Sequence, residues 1–279
     1  MLSTKTSAYL ELIRPVNFLI TFFTGIVAVI ICLNENFSTK IAFFVGLSAA
    51  FTAVAGNIIN DIFDIEIDKV NRPDRPLPSG KLSNKGALVL YFIYLLLSLI
   101  LSWFINLPAF IIVAVTNYLL YLYSEYLKRI PLVGNILVAL LTGLVFIYGG
   151  VAVEKTSAAI IPAIFAFLVN LIREIIKDMQ DVEGDKKVGY KTFPIKFGFN
   201  KSIQLILILS IVLILATCYP YITQVYRIEY FIIVMVIVNP VIVYSTKSLF
   251  EDRSNKNLKK ISNLLKLSMV LGLIAIYFG

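Results

Sequence analysis

Nine stretches of almost unbroken apolar residues run along the chain, separated by short polar segments, at roughly 15–33, 41–62, 86–105, 109–127, 132–153, 157–177, 203–222, 228–245 and 262–279. A helix needs about twenty apolar residues to cross a bilayer, and backbone groups in lipid must be satisfied within their own segment. Each stretch therefore predicts a transmembrane helix. Asn106, Pro108 and Pro131 punctuate the tightest connections. The pattern predicts an all-α, polytopic membrane protein with a single domain over 1–279. The opening "MLSTKTSAYLELIRP" lacks an apolar core followed by a small-residue cleavage site, so the first apolar segment is expected to remain in the mature protein.

The polar positions that interrupt this pattern are not scattered. The second apolar stretch ends in "NDIFDIEID", Asn60 to Asp68, with Asp61, Asp64 and Asp68 spaced three and then four residues apart. The sixth runs into "REIIKDMQDVEGDKKVG", Arg173 to Gly189, where Asp178, Asp181 and Asp185 repeat the spacing. The two copies lie 117 residues apart, each at the end of an even-numbered span. They predict a diverged internal repeat of four helices with a ninth added. On a helix, steps of three and four place three side chains on one stripe, within about 60° of each other. Carboxylates on one stripe repel, and at the membrane edge they also lose solvation. Divalent cations relieve both costs. Glu66 and Glu183 fall off the stripes and read as solvated face.

Composition narrows the chemistry. The chain has 279 residues, 59% hydrophobic and 15% charged, with mean hydropathy +0.87. It has no histidine, so imidazole acid–base catalysis and His-ligated zinc or haem are excluded. Cys32 and Cys218 sit inside apolar runs and read as small hydrophobes. A bound metal must therefore be held by oxygen, which favours Mg²⁺, Mn²⁺ or Ca²⁺.

Charge then orients the spans. With nine crossings, the N-terminal tail and the even-numbered loops share one side, and twenty-two of the twenty-five lysines and arginines fall there. Only Lys40, Lys155 and Arg227 fall opposite. The basic side is expected to be cytoplasmic, which puts the N-terminus inside and the C-terminus outside. Fourteen of the seventeen acids share that side; Glu35, Glu154 and Glu229 do not. The net charge of +8 is thus mainly a topology signal, and a nucleic-acid partner is not expected.

Basic groups flank the acids. "NRPDRPLPSG", Asn71 to Gly80, carries Arg72 and Arg75 on a proline-fixed course, and Lys128 and Arg129 end the fourth span. Arg14, Asn17, Asn57, Asn170 and Arg173 are polar groups at membrane depth, where such groups usually face a bundle interior or cavity. Mg²⁺ takes one or two carboxylates plus waters and phosphate oxygens. The residues thus predict a membrane-embedded site that binds metal ions and a diphosphate, with a lipid tail among the helices. Metal-assisted loss of diphosphate from an allylic lipid is the implied reaction. A divalent-cation transporter is the alternative from another class, although transport acids usually lie near the bilayer midplane rather than at helix ends.

Asn60-Asp61-x-x-Asp64-x-x-x-Asp68, Asp178-x-x-Asp181-x-x-x-Asp185 and the early "RPVNF" together resemble the UbiA superfamily of intramembrane prenyltransferases over nearly the whole chain. That resemblance implies a nine-helix bundle with a central cavity, Mg²⁺ as cofactor and a polyprenyl diphosphate donor. It implies that Asn60, Asp61, Asp64, Asp68, Asp178, Asp181 and Asp185 form the metal–diphosphate site, with Asp64, Asp68, Asp181 and Asp185 catalytic. Arg14, Asn17, Arg72, Lys128 and Arg173 are then expected on the diphosphate, and Lys186, with Lys187 and Lys191, on a second phosphate. "NRPDRPLPSG" and the E-G-D form of the second motif are similar to the archaeal digeranylgeranylglyceryl phosphate synthases, and also to the chlorophyll synthases. The former imply geranylgeranyl diphosphate as donor and geranylgeranylglyceryl phosphate as acceptor, in ether-lipid synthesis. An aromatic acceptor such as 4-hydroxybenzoate is the alternative within the superfamily.

Overall fold

The computed structural model describes residues 4–33 and 38–279. Glu35 and the side chain of Lys5, both used in the charge count, lie outside the described residues. The helices are α1 (Thr4–Ile13), α2 (Pro15–Cys32), α3 (Thr39–Phe63), α4 (Ile65–Asn71), α5 (Asn84–Trp103), α6 (Leu107–Glu125), α7 (Val133–Ala152), α8 (Ile160–Lys187), α9 (Phe193–Ile222), α10 (Ile228–Ile233), α11 (Asn239–Glu251) and α12 (Asn255–Phe278). A π-helical turn, Val234–Val238, joins α10 to α11 just before Pro240, which has no N–H to continue a regular ladder.

Among the described residues, nine helices are long and apolar enough to cross a membrane, so this is a multi-pass membrane protein. Three boundaries move furthest from their sequence expectation. The sixth span was expected to end at 177, but its helix continues to Lys187 and carries the whole second acidic motif. Polar residues on successive turns keep that extension helical, Lys186 and Lys187 complement the dipole in its last turn, and Gly189 at φ 78° ends it. The seventh begins at Phe193 rather than 203, because "FPIKF" forms a turn of helix before a kink at Gly198 (φ 82°, ψ 164°). The ninth begins at Asn255 rather than 262, where the Ser254 hydroxyl accepts from the Asn257 N–H at 3.3 Å.

The chain forms two compact units, and neither is one continuous segment. The first comprises residues 1–128, 145–159 and 183–189. Its central helix is α3, whose run of Ala, Gly, Ser and Thr lets neighbours approach closely, as is usual where helices pack without a hydrophobic driving force. A Cβ on Gly25 of α2 would stand 2.9 Å from the Gly46 Cα, closer than any side chain tolerates. Ala8 and Leu12 of α1, Val54 and Ile58 of α3, and Ala87 and Tyr91 of α5 form one buried cluster beneath the first acidic motif. Ser48 and Tyr148 share a 2.6 Å hydrogen bond that satisfies both hydroxyls.

The second unit comprises residues 129–144, 160–182 and 190–279. Buried polar side chains join its helices: Ser210 to Thr246 at 2.9 Å, Asn239 to Thr217 at 3.2 Å, and the Tyr230 hydroxyl donating to the Thr217 carbonyl at 2.9 Å. Where lipid offers no alternative partner, such bonds fix which helices meet.

Candidate active site

The first acidic motif straddles a joint. Asn60 and Asp61 sit on the last turn of α3, Asp64 lies between the helices at φ −93°, ψ 7°, and Asp68 lies on α4. The expected continuous helix is therefore corrected: it is interrupted at Asp64. The break leaves the ladder almost intact, because Asp64 N–H donates to the Asn60 carbonyl at 2.9 Å and Asp68 N–H to that of Asp64 at 2.7 Å.

Each carboxylate of this motif is held by a cation. Lys128 donates to Asp64 at 2.5 Å and to the Asn60 side-chain oxygen at 3.4 Å, while the Asn60 amide donates to Asp64 at 2.7 Å. Arg14 donates to Asp61, and to Asn57 at 3.0 Å. Arg75 bridges Asp61 at 3.3 Å and Asp68 at 2.5 Å, and Arg72 stands 3.7 Å from Asp68. Asp61 and Asp68 are 5% and 2% exposed, so without these partners their charges would be very costly. Burial pushes the Asp68 carboxyl above its ordinary range, and the Arg75 guanidinium opposes that shift. Burial likewise lowers Arg14, with Asp61 opposing. Arg14 adopts a left-handed backbone (φ 55°) between α1 and Pro15, a strained conformation that its contacts with Asn57 and Asp61 hold in place.

The second motif lies wholly on α8. Asn135 donates to Asp178 at 2.9 Å, Asp181 is half-buried, and Asp185 is 7% exposed. One turn earlier, Glu174 is 4% exposed and holds Lys177 at 2.8 Å and Arg173 at 3.4 Å. Beside Asp185, the Gly184 N–H donates to the Asn71 side-chain oxygen at 3.0 Å, and a Cβ at Gly184 would stand 2.8 Å from that oxygen. The glycine of the E-G-D sequence is thus the residue that lets Asn71 in.

Of the expected site residues, the first unit gathers Arg14, Asp61, Asp68 and Arg72 into one ion-pair group through Arg75, and Lys128, Asp64 and Asn60 into another. Asn17 is half-buried on the first turn of α2, and its N–H donates to the Arg14 carbonyl at 2.9 Å. Lys186 is exposed on the last turn of α8, and Arg173 and Asp178 lie in the second unit. Four residues outside the expected set matter to the geometry: Arg75, Asn71, Asn135 and Glu174. Arg75 had a usable signal, since it lies seven residues after Asp68 in the proline-fixed segment that carries Arg72. Asn71, Asn135 and Glu174 act through contacts that spacing alone does not reveal.

Could these residues hold Mg²⁺? Among the described residues, no three acidic or thiol groups are gathered closely enough to cage a metal ion by themselves. The donors are all hard oxygens, and Asn60 beside Asp64 offers an amide oxygen and a carboxylate together. Such a set suits an ion that completes its shell with water and phosphate oxygens. The residues fit a metal that shares its shell with the substrate.

The UbiA prenyltransferase family model matches residues 18–270. A digeranylgeranylglyceryl phosphate synthase from Methanosphaera stadtmanae is 37% identical over 272 residues, covering 97% of this chain and 98% of that one. A solved structure of a digeranylgeranylglyceryl phosphate synthase is also 37% identical, with a TM-score of 0.73 over 99% of this chain and 98% of the other. A UbiA homologue from Archaeoglobus fulgidus, solved with DMAPP and Mg²⁺, shares the fold at 24% identity, with a TM-score of 0.66 over 96% and 98% of the two chains. The chain belongs to the UbiA prenyltransferase family.

Proposed function

We propose that this chain transfers a geranylgeranyl group from geranylgeranyl diphosphate to the free hydroxyl of geranylgeranylglyceryl phosphate, with Mg²⁺, at the cytoplasmic face of the membrane. The observation that carries the reading is similarity along the full length, at 37% identity, to proteins named for that product. Residues 1–279 act as one catalytic domain.

Mg²⁺ would neutralise the charge that develops on the departing diphosphate. Asn60, Asp61, Asp64 and Asp68 of the first motif, and Asp178, Asp181 and Asp185 of the second, are the oxygen donors that would hold it. Lys128, Arg72, Arg14 and Asn17 present donors to diphosphate oxygens. Arg75 keeps Asp61 and Asp68 in place, so that buried carboxylates remain charged and oriented. The allylic carbon–oxygen bond to diphosphate breaks, a bond forms to the acceptor oxygen, and the hydroxyl proton passes to an aspartate or to the released diphosphate. No histidine is available to take it. The apolar helices accommodate both lipid tails.

The test is a competition. Full-length protein receives geranylgeranyl diphosphate and Mg²⁺ with geranylgeranylglyceryl phosphate and 4-hydroxybenzoate together, and products are read by mass. A doubly prenylated glyceryl phosphate is expected. A prenylated aromatic as the main product would replace the acceptor assignment and leave the family in place.

A further inference from the structure

α8 carries more than the second acidic motif. At 100° per residue, Asp178, Asp181 and Asp185 occupy one stripe, while Asn170, Arg173, Lys177 and Gln180 occupy another, about 90° around the helix. The second stripe contains no acid. It presents donors, and several of these are unsatisfied. Asn170 is 5% exposed, yet its side-chain nitrogen has no hydrogen-bond partner. The Arg173 Nε and the Gln180 side-chain nitrogen are buried without one as well. Orphaned buried donors are uncommon and costly, so three on one helix face call for an acceptor-rich ligand.

Glu174 lies on the acidic stripe, one turn before Asp178, and explains how cations stay on the second. Its buried carboxylate holds Lys177 through both oxygens, at 2.9 and 2.8 Å, and Arg173 at 3.4 Å. Taken alone, these three side chains carry one net positive charge, and Asp178 and Asp181 follow them on the adjacent stripe. Arg173 and Lys177 side chains remain 21% and 33% exposed, so each keeps accessible N–H donors. A phosphate monoester, with several acceptor oxygens and up to two negative charges, matches both the charge and the donors.

We infer that the Asn170–Arg173–Lys177 stripe of α8 binds the phosphate of the acceptor directly, without metal, with Glu174 as the positioning residue. This rests on the proposed acceptor, geranylgeranylglyceryl phosphate. It moves that phosphate away from Lys186, Lys187 and Lys191, which are exposed. It also gives the two substrates separate anion sites of different chemistry: carboxylates and metal for the diphosphate, bare donors for the monoester.

The experiment uses the full chain in nanodiscs with excess chelator. Binding is measured for geranylgeranylglyceryl phosphate, for geranylgeranylglycerol without the phosphate, and for geranylgeranyl diphosphate. Wild type is expected to prefer the phosphate ester over the alcohol, and Asn170→Leu and Lys177→Met to lose about tenfold or more of that preference. Asn170→Leu removes a buried orphan donor at similar volume, so it is expected to fold even if Lys177→Met does not. With Mg²⁺ restored, both variants should raise KM for the acceptor more than they lower kcat, with KM for the donor little changed. No preference in wild type without metal, or an unchanged preference in Asn170→Leu, overturns the assignment. A variant effect confined to diphosphate binding overturns it too and gives the stripe to the donor. Wild-type failure to turn over geranylgeranylglyceryl phosphate is a different result, and it rejects the proposed acceptor.

Discussion

Asp64 is the residue on which the first motif turns. It sits at the joint between α3 and α4, and it takes Asn60 on one oxygen and Lys128 on the other. Asp64→Ala removes a carboxylate without removing a helix. Prenyl transfer is expected to fall by about a thousandfold or more, the scale of losing several kcal/mol of transition-state charge stabilisation, while the protein still folds in detergent at a lowered midpoint, because the largely buried Lys128 side chain loses its counter-ion. Asp181→Ala is expected to lower transfer in the same way in the second motif. Turnover near wild type in either variant removes that residue from the metal site. Arg75 behaves differently, because its partners Asp61 and Asp68 are buried. Arg75→Ala strands two buried charges and is expected to destabilise the protein by about 3 kcal/mol, read as a lower unfolding midpoint, with Arg75→Lys partly restoring it. The acids were legible in the sequence because like charges at helical spacing in an apolar chain demand an explanation. Arg75, Asn71 and Asn135 were less legible, because a partner's identity depends on which loop or helix folds back over the motif.

At the scale of elements, the two motif copies look alike as text and differ as structure. One is interrupted at Asp64, and the other runs unbroken along α8. Hydropathy placed nine spans but truncated α8, since its last three turns are polar and therefore invisible to an apolar count. The Ser157–Lys187 span has 31 residues and rises about 46 Å, well beyond a hydrocarbon core of about 30 Å. Its end is secured by the Gly184–Asn71 contact. Gly184→Ala is expected to cost about 1–3 kcal/mol and to reduce turnover, because the Asn71 side chain must move from beside Asp185. The Asn71→Gly, Gly184→Ala double variant should recover stability, but not the hydrogen bond. Gly198 is a second such point: at φ 82° only glycine is unstrained, and Gly198→Ala should cost about 1 kcal/mol although nothing crowds it.

For the whole molecule, the nine apolar helices among the described residues and one strongly basic side predict an orientation. A reporter fused after Gly279 is expected to be accessible from outside the cell and one before Met1 from inside. The opposite labelling would place the acidic motifs on the wrong side for cytoplasmic substrates. Chelation is expected to stop turnover, and Mg²⁺ to restore it; full activity in excess chelator would contradict a metal-dependent diphosphate site.

The ion pairs of the first motif have one more consequence. Lys128 and Asp64, like Arg75 and Asp68, are mutual counter-ions at the edge of the membrane. Whenever Asp64 serves another cation, Lys128 must let go, and its ammonium then needs an oxyanion of its own. On the proposed metal site the motif would behave as an ion exchanger: cation and anion would have to arrive together, or the trade would leave an uncompensated charge behind. Mg²⁺ and diphosphate should each bind weakly alone and strongly as a pair, and Lys128→Met should uncouple them, tightening the metal while loosening the anion.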